Sequence, residues 1–114
     1  MKLNYKSMEL KLVSEDERRK LSEFGNGGNW KVCKVLEAKQ ACFVGNHYHK
    51  LKDEMFVLLS GSGTFVVEKE TIVEFAPYSV LVKRGQYHSF FLKKGSILLG
   101  LASELHDPSD DYKI

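Results

Sequence analysis

The chain has 114 residues and a mass of 13.0 kDa, enough for one domain built around one core. Seventeen Lys and Arg against 15 Asp and Glu leave a formal charge of +2. That is too balanced for the basic face of a nucleic-acid binder and unlike an acidic disordered tail. No apolar run approaches the roughly 18 residues of a membrane helix, and the opening MKLNYKSMELKLVSEDERR lacks the apolar stretch of a secretory signal. The expectation is a cytoplasmic protein with neither nucleic acid nor membrane as partner.

In chain order, segments rich in Val, Leu, Phe and Tyr and bounded by Gly, Asn, Lys or Pro predict strands over 7–13, 30–37, 42–49, 54–60, 63–68, 70–75, 79–83, 87–92 and 96–103. After the first of these, Ser14-Glu15-Asp16-Glu17 fits a capping box that opens a short helix, while residues 18–24 fit a strand equally well. Gly25-Asn26-Gly27-Gly28 closes the N-terminal section, Gly61-Ser62-Gly63 reads as a hairpin turn, and Lys93-Lys94-Gly95 separates the last two strands. The tail over 106–112 is polar, with room for one helical turn. Short strands at this spacing, without an internal repeat, predict one all-β domain over 1–114, either a sandwich or a barrel.

The strand faces add a second expectation. In 54–60, Glu54, Phe56 and Leu58 share one face and Met55, Val57 and Leu59 the other, so both faces are largely apolar. The stretch 96–103 behaves alike. Such a strand needs protein on both sides, from a second sheet or a second copy of the chain, and a homodimer is expected. Phe56, Phe65 and Phe90 share the parity of inward positions and read as core or pocket wall. Trp30 reads as core or rim packing. Cys33 and Cys42 form neither a disulfide framework nor a CxxC pair, and read as reduced thiols in or near the wall.

The chemistry lies in the histidines. His47 and His49 are two apart, which on a strand sets both rings on one face about 6.5–7 Å apart along the chain. Glu54 opens the next strand after a short link, and its carboxylate is expected beside the two imidazoles from a neighbouring antiparallel strand. His88 follows Gly85-Gln86-Tyr87 and is expected from across the cavity. Three imidazoles and a carboxylate suit one divalent first-row transition metal: Mn, Fe, Co, Ni, Cu or Zn. Four ligands on an octahedral ion leave two positions for water or substrate. Because the imidazoles must be neutral to bind, occupancy is expected to fall as pH drops through roughly 6. His106 lies outside this pattern and reads as a surface residue. Tyr48 and Tyr87 alternate with the histidines and are expected to face away. Lys50, Lys52, Lys83 and Arg84 lie at the ends of these strands, either as ordinary solvated charge or as partners for phosphate.

The segment GNHYHKLKDEMFVLLSG resembles the first motif of the cupin superfamily, G-x5-H-x-H-x3-4-E-x6-G, although Gly45 stands only two residues before His47 and Ala41 takes the usual glycine position. The second motif, G-x5-P-x-G-x2-H-x3-N, is matched at Gly85 and His88. Pro77, Lys83 and Leu92 stand where its first Gly, its Pro and its Asn fall. The motif region spans about 42–92, and the resemblance implies a double-stranded jelly-roll β-barrel holding a metal on His47, His49, Glu54 and His88. Over roughly 30–112 the chain is also similar to the cupin domain of capsular-polysaccharide sugar-nucleotide reductases, through Gly45-Asn46-His47-Tyr48-His49, Glu54-Met55-Phe56, Asp107-Pro108 and Tyr112. It is similar to sugar-nucleotide 3,4-ketoisomerases through Ala102-Ser103, Asp107 and Asp110 to Tyr112. Those ketoisomerases carry Gln at the carboxylate position and use the motif histidines without a metal; here the residue is Glu54. The resemblance implies an isomerase or epimerase of a carbohydrate or sugar nucleotide, with His49 moving the proton if no metal is bound. A metal-dependent dioxygenase or lyase, and a non-catalytic ligand-binding barrel, are the alternatives.

Overall fold

Alternation of apolar residues drives the chain into strands throughout. A computed structural model describes residues 11–23 and 30–113. The part of the first predicted strand before Lys11 and the turn Gly25-Asn26-Gly27-Gly28 lie outside the described residues. The strands are β1 (Lys11–Glu15), β2 (Arg19–Glu23), β3 (Val32–Ala38), β4 (Cys42–His47), β5 (Glu54–Ser60), β6 (Ser62–Val67), β7 (Glu70–Phe75), β8 (Tyr78–Val82), β9 (His88–Leu92) and β10 (Ile97–Ala102). A 3-10 turn over Pro108–Asp110 supplies the helical turn expected in the tail. Among the described residues no helix is long and apolar enough to cross a membrane.

The strands form two antiparallel sheets. One has six strands in the order β1-β2-β3-β10-β5-β8, the other four in the order β4-β9-β6-β7. Their facing sides enclose one core of Leu36, Phe56, Leu58, Phe65, Phe90, Leu92 and Leu98. The three phenylalanines expected inside are there: Phe90 packs edge-on to Phe56 at 4.9 Å and beside Phe65 at 5.0 Å. Cys42 is buried in this core and Cys33 is half-buried on β3.

Two local expectations change. Among the described residues the strand alternative holds at 19–23, and no helix opens at Ser14. The Asp16 carboxylate accepts from the Arg18 and Arg19 amides and binds the Arg18 guanidinium, so a tight turn joins β1 to β2, and Leu21 pairs with Leu36 at the core side of β3. Gly61-Ser62-Gly63 is not a hairpin turn. β5 pairs with β10 and β8, and β6 pairs with β7 and β9, so the chain crosses between sheets here. Gly61 has φ +89° and sits so close to Ser96 that a Cβ would lie 2.3 Å from its Oγ. Packing against the neighbouring corner, rather than strand pairing, is what requires glycine at this position.

The outward row of the large sheet includes Val35, Met55, Val57, Leu99 and Leu101, all half-buried, and Leu81, exposed. The second sheet thus accounts for the apolar inner face of β5 and β10, and nothing among the described residues covers the outer one.

Candidate metal centre

Two left-handed residues shape the first half of the site. Gly45 (φ +92°) and Asn46 (φ +73°) bulge β4 where it pairs with β9, so that His47 falls opposite His88. A Cβ on Gly45 would lie 2.8 Å from the His88 ring, so glycine here lets the imidazole pack against the β4 backbone. Asn46 tolerates its positive φ, and its side-chain oxygen accepts from the Tyr87 hydroxyl, which turns that ring away from His88 as the parity predicts. Tyr48 likewise faces away, stacked on Tyr112 at 5.2 Å.

The structure brings His47, His49, Glu54 and His88 together, with one ligand atom from each lying within 4.8 Å of the others. Sheet membership is the reverse of the expectation. His88, expected from across the cavity, is on β9, the hydrogen-bonded neighbour of β4. Glu54, expected as the neighbour, opens β5 in the opposite sheet and reaches across. In a jelly roll the link at 50–53 is a crossing between sheets, so sequence proximity does not make β4 and β5 partners.

The C-terminal segment orients two of the rings. His49 Nδ1 lies 2.6 Å from the Asp110 carbonyl oxygen, and His47 Nδ1 lies 2.8 Å from Asp111 Oδ1. Both leave Nε2 to face the cavity, the arrangement by which outer partners orient metal-binding imidazoles. The Asp110 carboxylate, buried, accepts from the Lys50 and Leu51 amides, and Tyr48 and Tyr112 exchange backbone hydrogen bonds. The last residues of the tail are therefore tied to the histidine motif.

The electrostatics at the centre are unbalanced. Glu54 Oε1 is buried and has no hydrogen-bond partner; it faces His49 Nε2 at 3.3 Å and His88 Nε2 at 3.8 Å. Burial pushes the Glu54 carboxyl up, against the opposing pull of Lys52, His49 and Lys34. Burial pushes His88 down to about 3, with the charges of His47 and His49 adding to it. Burial and His49 also lower His47, against the pull of Asp111. The tetrad thus sets His49 Nε2 and His88 Nε2 against a carboxylate oxygen with no donor of its own. A divalent cation among them satisfies all of these atoms at once. Histidine nitrogen and carboxylate oxygen bind such ions at roughly 2.0–2.2 Å, so ligand atoms on opposite sides of one lie about 4.2 Å apart, and closure needs a shift of about half an ångström. The donor set fits a first-row metal.

The four residues line a cavity of about 480 Å³, together with Arg19, Lys34, Lys52, Phe56 and His106. This volume suits a small organic ligand. Of the cations singled out in the sequence, only Lys52 lines it. Lys50 sits over the Tyr112 ring at 4.5 Å, Arg84 contacts Asp53 at 3.4 Å, and Lys83 is exposed, so the solvated reading holds for these three. His106 is exposed, as expected, and also lines the cavity. Sequence reasoning missed the roles of Asp110 and Asp111, and missed Arg19 and Lys34 altogether. Lys34 left a signal: it interrupts the inward row Val32, Leu36, Ala38 on β3.

No family model matches the chain, and no curated protein matches its sequence. Solved structures match its fold. The capsular polysaccharide assembling protein CapF from Staphylococcus aureus is 23% identical with a TM-score of 0.79, over 95% of this chain and 32% of CapF. The chain thus spans about a third of that protein. KdgF from Halomonas sp. is 11% identical with a TM-score of 0.75, over 87% of this chain and 90% of KdgF. A Streptomyces Pac13 variant holding uridine is 16% identical with a TM-score of 0.69, over 100% of this chain and 91% of that one; Pac13 is described as a nucleoside dehydratase. At these identities the likeness is one of fold, and the fold is the cupin-type double sheet.

Proposed function

We propose that the protein is a metal-dependent enzyme that moves a proton on a small, oxygen-rich substrate, as an isomerase or epimerase of a carbohydrate or sugar nucleotide. The observation that carries this reading is the buried Glu54 oxygen without a donor, aimed at two imidazole nitrogens inside an organic-sized cavity. His47, His49, Glu54 and His88 would hold a divalent first-row ion, which when bound polarises a substrate carbonyl or hydroxyl oxygen. His106 lines the same cavity outside the tetrad and takes the proton. Desolvation and the charges of Lys34 and Lys52 hold its ring below the ordinary imidazole range, neutral as a base must be. Phe56 offers an apolar wall for the body of the ligand.

The names of the neighbours support small oxygenated substrates, since one concerns capsular polysaccharide and another a nucleoside. The Pac13 description favours elimination of water as a second reading. Isomerisation and elimination share their first step, removal of a proton next to an activated carbon, and product analysis separates them. The same proposal includes a homodimer packed through the outer row of Val35, Met55, Val57, Leu99 and Leu101, to be checked by light scattering on a size-exclusion column.

The deciding experiment is elemental analysis of protein purified without an affinity tag or chelator, beside His49→Ala and Glu54→Ala. Near one first-row metal per chain in the wild type, lost in both variants, is the expected result. No metal, and none on reconstitution, overturns the metalloenzyme. Iron together with oxygen consumption would favour a dioxygenase instead.

A further inference from the structure

Cations stand on the cavity wall beside the tetrad. Lys34 shares its face of β3 with the buried Val32, Leu36 and Ala38, and Arg19 pairs with Ala38 across β2 and β3, so both point into the cavity from the large sheet. Lys52 comes from the crossing that leads into Glu54 and is only 8% exposed, yet it lines the cavity. Among the described residues, none of these three side chains makes a hydrogen bond or an ion pair. The Lys52 stem is buried while its ammonium stays accessible. The nearby carboxylates are already engaged: Glu104 holds Lys31 at 2.7 Å, Asp111 holds His47, and Glu54 belongs to the tetrad. With a divalent ion on the tetrad, the excess positive charge of the cavity grows further.

We propose that Arg19, Lys34 and Lys52 form an oxyanion subsite beside the metal centre, and that the substrate carries a carboxylate or phosphate there. The proposal rests on the reading of this cavity as the substrate site. The cations hold the anionic end of the ligand and fix which of its carbons faces the tetrad. They also favour anionic over neutral sugars, because an uncharged group gains no charge-assisted hydrogen bond from them.

The test titrates glucose, glucuronate and glucose 1-phosphate into metal-loaded and metal-free protein by calorimetry. Both anions are expected to bind at least roughly tenfold more tightly than glucose, the factor of one charge-assisted contact, and less tightly as salt rises. Their ranking tells carboxylate from phosphate. Lys52→Met keeps the stem of the buried side chain, and Lys34→Gln changes a half-buried one. Each is expected to lose roughly tenfold of anion affinity with metal content unchanged. If Lys52→Met does not fold, Lys34→Gln decides. Anions that bind no better than glucose, that do not bind detectably, or that keep full affinity in the variants overturn the subsite, even where the protein carries its metal. A protein that takes up no metal but shows the anion preference and its loss in the variants overturns the metalloenzyme and supports the subsite.

Discussion

β9 turns His88, Phe90 and Leu92 to the same inner face, and all three are buried, at 1%, 0% and 0% exposure. Within these residues the interior changes character. Around Phe90 the neighbours are the apolar rings of Phe56 and Phe65, with the His88 ring at 5.4 Å on one side only. Around His88, one step up the same strand, Nδ1 is buried without a partner and Nε2 looks at an equally unpartnered Glu54 oxygen. The backbone treats the two positions alike, and only the side-chain chemistry differs. The apolar end holds the sheets together, whereas the polar end is held open by them, at a cost that a bound cation would relieve.

Four variants test this division, from the largest effect to the smallest. Phe90→Ala should cost about 3–5 kcal/mol in urea unfolding of metal-free protein, because the surrounding rings cannot collapse into the gap. A cost below about 1 kcal/mol would show that the apolar end is not the stabilising one. Asp111→Ala should weaken metal affinity by roughly 10–100-fold in a chelator competition, through loss of His47 orientation, while Asp111→Asn keeps an acceptor and most of the affinity. Equal behaviour of the two would assign Asp111 a purely structural place. His88→Phe extends the aromatic cluster into the tetrad. It should abolish metal uptake yet stabilise the metal-free protein by about 1–2 kcal/mol, by removing an unsatisfied buried nitrogen.

The smallest effect is in pH. The His88 imidazole falls from 6.5 to about 3 on folding, so the unfolded chain binds the extra proton between these values. The stability contributed by neutral His88 is present above the unfolded value and is lost as pH falls towards the folded one. Glu54, raised by burial, works oppositely: its contribution is present below its ordinary range and is lost as pH rises. In metal-free protein the urea midpoint should therefore drop between about pH 7 and 5, and the drop should flatten or reverse in His88→Phe. An unchanged slope would mean that the His88 proton is not what the fold resists.

The identity of the tetrad was legible because period-2 alternation fixes which strand residues share a face. His47 with His49, and Phe56 with Leu58, follow from that alone. Which sheet a strand joins was not legible, because alternation is blind to partners. Glu54 and His88 therefore exchanged places, and the Gly61 corner looked like a hairpin. Spacing alone fits a helix at 14–17 as well as a strand after it, and the Asp16 turn decides for the strand at 19–23. Asp110 and Asp111 could not be found by spacing, since their roles arise only when the tail packs back on the β4 end. Lys34 was legible in principle, as a cation in an inward row.

The contact between His49 and Asp110 spans 61 residues of sequence. The β3–β10 ladder spans as much, but the tail needs the finished β4 end to pack on, so the ring orientations at the tetrad are expected to form late in folding. A cation that binds only the finished arrangement would then leave the refolding arm of a chevron where it was and slow the unfolding arm alone. The protein would fold at one speed with or without its metal, and differ in how long it stays folded.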